Sequence, residues 1–100
     1  MAKLILRQEA INDLTEIWNY TADTWTEIQA DKYYETLKLA CMDISKNPKL
    51  GRAYFEISKN LFGYRINRHI IFYQCVTSEE VEVIRILHER MDLKVQLKSV

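Results

Sequence analysis

Glycine and proline are nearly missing from this chain, with two of the first and one of the second in 100 residues. So few breakers leave room for few long loops. Cysteine is as scarce: Cys41 and Cys75 are the only pair. Two thiols behind no secretory leader make no disulfide framework, and no Cys/His spacing matches a zinc site. Both stand among apolar neighbours and read as small core residues. No apolar run nears the roughly 20 residues a bilayer span needs. The opening Met1-Ala2-Lys3-Leu4-Ile5-Leu6-Arg7 is too short and too soon interrupted for a signal peptide. These absences predict a soluble, cytoplasmic protein.

Net charge is missing too. Fourteen Lys and Arg balance fourteen Asp and Glu. Nucleic-acid binders draw much of their affinity from neutralised phosphates and usually carry a basic excess, which this chain lacks as a whole. Walker loops, glycine-rich nucleotide turns and HExxH are likewise absent, and no cofactor or metal is implied.

What is present is an ordinary globular composition, 48% apolar and 28% charged, which excludes disorder and coiled coil. The length supports one core and so one domain over residues 1–100. Lys3 to Arg7 reads as a strand. From Glu9 the period becomes helical, with Ala10, Leu14, Ile17, Thr21 and Trp25 as the buried stripe, Ile11 and Trp18 beside it, and Asn12, Asp13, Glu16 and Asp23 outward. Thr26-Glu27-Ile28-Gln29 has the form of a capping box and opens a second helix. Its apolar face is Ala30, Tyr33, Tyr34, Leu37, Cys41 and Ile44, and Pro48 ends it at Asn47.

Strands follow: Phe62 to Asn67, Ile70 to Val76 and Val81 to Leu87, joined by short polar connections. In the last strand, alternation puts Ile84 with Ile86 on one face and Val83 with Leu87 on the other. A helical hairpin covers only one face of such a sheet, so the second face is expected to be a partner surface. Glu89 to Val100 shows no clear period.

Catalytic signals are thin. His69 and His88 open and close strands without a nucleophile motif around them. Arg65, Arg68, Arg85 and Arg90 form a basic cluster able to grip phosphate or carboxylate if they share a face. On a solvated sheet edge they would instead pair with Glu82, Glu89 and Asp92. The aromatics Tyr20, Tyr33, Tyr34, Tyr64, Phe72 and Tyr73 read as packing.

Several stretches in order resemble ParE-type toxins of the RelE/ParE superfamily. They are Ala10 with Asp13-Leu14, Ile17-Trp18-Asn19-Tyr20 with Trp25, Ala30 with Tyr33 and Leu37, and Asn47-Pro48-Lys49-Leu50-Gly51. His69-Ile70-Ile71-Phe72-Tyr73 and Ile84-Arg85-Ile86-Leu87-His88-Glu89-Arg90-Met91-Asp92 complete the pattern. The resemblance implies an α+β fold: a short N-terminal strand, an antiparallel helical hairpin, then a three-stranded antiparallel meander with the helices on one sheet face. It implies the toxin of a bacterial type II toxin–antitoxin pair, a plasmid-stabilisation type of system, with a ParD-like antitoxin as partner and DNA gyrase as target. DNA would then be met only through the antitoxin. Target or partner contacts would fall on Arg65, Arg68, Arg85, His88, Arg90, Met91 and Asp92.

The RelE branch instead cleaves mRNA on the ribosome, and its alternative catalytic set here is Arg65, His69, His88 and Arg90. Attack by a 2′-hydroxyl needs a proton acceptor, a proton donor and cations on the phosphate. RelE toxins use clustered Lys and Arg plus a C-terminal tyrosine. In this chain Asn67 takes one basic position, no arginine follows His69, and no tyrosine follows Arg90. Binding without catalysis is the expected mode of action.

Overall fold

In the computed structural model, which describes residues 2–98, the order of elements is β1 (Lys3–Leu6), α1 (Gln8–Thr24), α2 (Glu27–Lys46), β2 (Arg52–Ala53), β3 (Phe62–Ile66), β4 (His69–Thr77), β5 (Glu80–His88) and α3 (Leu93–Leu97). The expected meander is β3-β4-β5, and it is extended at both edges. β1 adds in parallel to β5 and β2 antiparallel to β3, giving the order β1-β5-β4-β3-β2. The parallel pairing follows from the intervening hairpin, which carries the chain back before the sheet is built.

The helical hairpin forms as its sequence directs. Thr26 Oγ1 accepts the Gln29 N–H at 3.0 Å and starts α2. Asn47 caps the other end, before Pro48. Trp18 Nε1 donates to Asp31 Oδ1 at 2.9 Å and ties α1 to α2. Ala10, Leu14, Leu37, Ala40, Cys41 and Ile44 pack on Ile71, Tyr73, Val81, Val83 and Ile86 of the sheet. Tyr73 is fully buried there, its hydroxyl donating to the Pro48 carbonyl at 2.6 Å and accepting the Gly51 N–H at 2.9 Å. A Cβ on Gly51 would stand 2.5 Å from that hydroxyl, so only glycine admits the contact.

Five residues depart from expectation. Asp13 is not outward but buried, and Trp25 and Tyr20 are not buried but 72% and 69% exposed. Tyr34 is also exposed on the hairpin. Cys41 is a core thiol, pushed up to about 12 by burial, but Cys75 is exposed with Val76 and Thr77 where β4 outruns the covering layers.

The second sheet face is not open. Leu61, Ile70, Phe72, Ile84, Leu87 and Leu97 form a second core under the 54–61 segment and α3, with Tyr54, Ile57 and Leu93 packed against it. Glu89 onward, which has no visible period, turns and then forms the single-turn α3, capped by Asp92; residues 99 and 100 lie outside the described chain. A five-residue helix is too short to show a repeat.

The alternation of β5 also breaks. Phe72 pairs with Arg85 while Tyr73 pairs with Val83, so Ile84 is an extra, bulged residue. Val83 therefore shares the helix-side core with Ile86, and Ile84 shares the opposite core with Leu87. A one-residue offset moves every later side chain to the other face. His88, two residues past Ile86, is thereby turned toward the helices.

Candidate functional site

The bulge decides what gathers at the end of the sheet. His69 and His88 are direct cross-strand partners, and their rings meet edge to face with centroids 5.3 Å apart. Between them and the helical hairpin lies an open groove of about 980 Å³. Its helix wall carries Glu16, Ile17, Tyr20 and Trp25; Tyr33, Arg68, His69, His88 and Met91 line the sheet side and floor. Asn67, at φ 53°, turns β3 into β4 in the left-handed region that asparagine tolerates, and places Arg68 at the rim.

Tyr33 and His69 are bonded at the floor, hydroxyl oxygen to Nδ1, at 2.6 Å. Burial pushes His69 down to about 4, helped by nearby His88 and opposed by Glu89, so the ring is neutral near pH 7. Burial also raises Tyr33, and a hydrogen bond from the Asn67 side chain acts the other way. The sign of His69's effect on stability follows. The unfolded ring takes its proton near pH 6.5 and the folded ring only near 4, so the unfolded state binds more protons in that window. Stability contributed by neutral His69 is full above 6.5 and falls as the pH drops toward 4. With a half-buried ring the loss is on the order of 1 kcal/mol. Urea midpoints at pH 7 and pH 5 should fall further apart in the wild type than in His69→Gln; parallel shifts would contradict it.

The expected basic cluster is divided among separate tasks. Arg65 Nη2 donates to both Glu89 oxygens, at 2.8 and 3.0 Å, and this bond holds the Glu89 carboxyl below its usual range. Arg68 Nη1 lies 3.8 Å from the same carboxylate. Arg85 turns inward: Nε and Nη2 donate to Asp13 at 2.8 and 3.0 Å, and Nη1 reaches the Gln96 carbonyl at 3.5 Å. The Asp13 bond is the first cause of its raised affinity for its proton. Glu82 pairs with Arg7, and Asp92 is spent on α3. Arg90 is exposed, and its backbone N–H donates to His88 Nδ1 at 3.1 Å. Of the residues singled out from sequence, Arg68, His69, His88 and Met91 are thus brought together at the groove; Arg65, Arg85, Arg90 and Asp92 are not among its lining. Trp25, Tyr20, Tyr33 and Asn67 were missed as lining residues. The one available signal was a large aromatic placed directly before the helix-capping Thr26.

Among the described residues no group of three or more His, Cys, Asp or Glu could hold a metal ion, and no helix is long and apolar enough to cross a membrane. Fold and groove together define a small α+β domain with a concave, aromatic-rimmed face. Its backbone superposes on the chromosomal ParDE TA system from P. aeruginosa with a TM-score of 0.76 at 14% identity, over 88% of this chain and 96% of that one. Residues 4–93 match the model of the ParE toxin of type II toxin–antitoxin systems, parDE. The chain belongs to that toxin family. It is 34% identical over 92 residues to Toxin ParE1 of Mycobacterium tuberculosis, covering 92% of this chain and 94% of the relative. Toxin ParE1 of Caulobacter vibrioides is 32% identical over 96 residues, with the same coverage. Toxin ParE of Escherichia coli is 31% identical over 97 residues, covering 97% of this chain and 94% of that protein.

Proposed function

We propose that this ParE-family toxin acts in the cytoplasm by binding DNA gyrase, with no catalysis of its own, and is held inactive by a ParD-like antitoxin whose tail segment lies in the groove. The observation that carries the binding mode is the groove itself. It presents exposed Trp25 and Tyr20 and half-exposed Met91, a concave apolar surface of the kind that seats a partner chain. Membership of a two-component toxin family supplies the partner. Arg65, a candidate phosphate ligand, is spent on Glu89, which weakens the case for RNA at that end of the sheet.

Gyrase supercoiling assays test the target. The purified chain is expected to inhibit supercoiling at micromolar concentration, with relief on adding the co-encoded antitoxin. Supercoiling and DNA cleavage left unchanged at high toxin excess would remove gyrase as the target. The His69–His88 contact favours the second reading, a ribosome-dependent mRNA endoribonuclease using Arg65, His69, His88 and Arg90. That reading requires transcript cleavage on expression which disappears in Arg90→Ala.

A further inference from the structure

The two histidines at the groove floor are alike in one respect: each has Nδ1 occupied. His88 Nδ1 accepts the Arg90 backbone N–H at 3.1 Å, and a backbone amide can only donate. His88 therefore has no proton on Nδ1, and its neutral form carries it on Nε2. At His69 the partner is the Tyr33 hydroxyl at 2.6 Å. A phenol is a strong donor and a weak acceptor, whereas the bare nitrogen of a neutral imidazole is a strong acceptor. The hydroxyl proton is then directed to His69 Nδ1, which makes His69 an Nε2–H tautomer as well. What each ring has left to offer is a donor.

The bulge in β5 puts His88 on the helix side beside His69, as cross-strand neighbours lining one groove. Arg68 stands at the rim, its 3.8 Å approach to Glu89 longer than a hydrogen bond and its side chain 72% exposed, so it can turn inward. Two N–H donors and a guanidinium suit an oxyanion. They do not suit a metal: coordination through His88 Nε2 would move its proton to Nδ1, against the Arg90 N–H. The opposite wall repels an anion through Glu16, while Asp13 is neutralised by Arg85. An oxyanion is thus confined to the β-hairpin end, and the remaining apolar wall of Ile17, Tyr20, Trp25 and Met91 requires it to sit on an apolar stem.

The geometry points to His69, His88 and Arg68 as a carboxylate-binding subsite, taking an Asp or Glu side chain from an apolar peptide segment seated in the groove. This rests on the groove being the antitoxin's seat, and it adds an anchor: one acidic residue flanked by apolar ones, read by two imidazole N–H groups. A loose phosphate would gain nothing from the aromatic wall.

Imidazole-detected ¹⁵N NMR on the full chain tests it, with 4-phenylbutyrate as a carboxylate on an apolar stem, its primary amide as control, and inorganic phosphate as competitor. Both rings should show the Nε2–H tautomer, and phenylbutyrate should shift both Nε2 signals saturably. The amide should bind at least about tenfold more weakly, since a charge-assisted bond is lost. His88→Phe should weaken the acid about tenfold while leaving the amide unchanged, and His88→Gln, which restores an N–H donor, should recover most of the loss. An Nδ1–H tautomer at His88, equal affinity for acid and amide, or phosphate binding more tightly than phenylbutyrate would each overturn the subsite. If the acid shows no preference while a Trp25 substitution still disrupts the antitoxin complex, the subsite falls and the antitoxin's seat stands. If Trp25 also proves neutral, both fall.

Discussion

Asp13→Ala is expected to cost about 3 kcal/mol of folding stability and roughly 10–20 °C in melting temperature for a chain of this length. The carboxylate does three things at once. It accepts Arg85 Nε at 2.8 Å and Nη2 at 3.0 Å, and its Oδ2 accepts the Ile86 backbone N–H at 3.0 Å. The last bond explains why the acid is there. β1 pairs with β5 only from Lys3↔Glu80 to Leu6↔Val83, after which the chain leaves to form α1. The edge of β5 beyond Val83 thus loses its neighbouring strand, and Asp13 closes the bare N–H instead. Removing the carboxylate strands a buried donor and an arginine whose side chain is only 23% exposed. Arg85 also holds the Gln96 carbonyl of α3, so the loss extends to the layer over the second core. Asp13→Asn keeps an acceptor for Ile86 and should lose less. Asp13→Leu with Arg85→Met removes both charges and should recover part of the loss, as paired substitutions of buried ions do. Thermal melts of the variants decide it; Asp13→Ala melting within about 3 °C of the wild type would contradict the account.

Asp13 also shows where sequence reasoning stops. The helical stripe, the Thr26 cap, the stop at Asn47 and four of the five strands follow from local pattern and capping chemistry, and local chemistry was enough. Whether an aspartate on α1 faces water depends on where β1 ends, a fact of tertiary pairing over 73 residues of chain. An acid beside an apolar stripe is outward by default, and only the bare edge of β5 makes it inward. β2, a two-residue strand, falls below any period. α3 has the same difficulty, and its absence from the sequence picture made the second sheet face look open.

The bulge at Ile84 had the widest consequence for the site. The run Val81 to His88 is apolar in both registers, so it carries no mark of the extra residue. Alternation alone turns His88 away from the helices. The inserted residue turns it back beside His69, and a histidine pair emerges from two isolated strand-end residues. The resemblance implies target or partner contacts at Arg65, Arg68, Arg85, His88, Arg90, Met91 and Asp92, and of these Arg68, His88 and Met91 line the groove. Arg85 bonds Asp13 and Asp92 caps α3. The helix side of the groove was hidden for another reason. Trp25 falls at the apolar spacing of α1 and by period belongs to the core, and Tyr20 reads as a packing aromatic, but Trp25 stands at the C-cap just past the helix and both are exposed.

That exposure sets the second large effect. Trp25→Ala is expected to weaken the antitoxin complex by at least 100-fold, about 3 kcal/mol, while leaving the isolated chain's melting temperature within a few degrees. Both halves come from one number: the side chain is 72% exposed. A tryptophan in water contributes little to the fold, so its removal leaves no cavity. The same surface, covered by a partner, releases apolar area worth about 25 cal/mol per Å², and large aromatics dominate interfaces for that reason. Tyr20, 69% exposed on the same wall, should show a smaller loss when changed to alanine. Leu39, half-exposed on α2 outside the groove lining, serves as the control and should bind as the wild type does. Calorimetric titration of each variant with the co-encoded antitoxin reads the difference. A wild-type affinity for Trp25→Ala, or an equal loss for Leu39→Ala, would place the antitoxin elsewhere on the molecule, since a hot spot must lie beneath the partner that covers it.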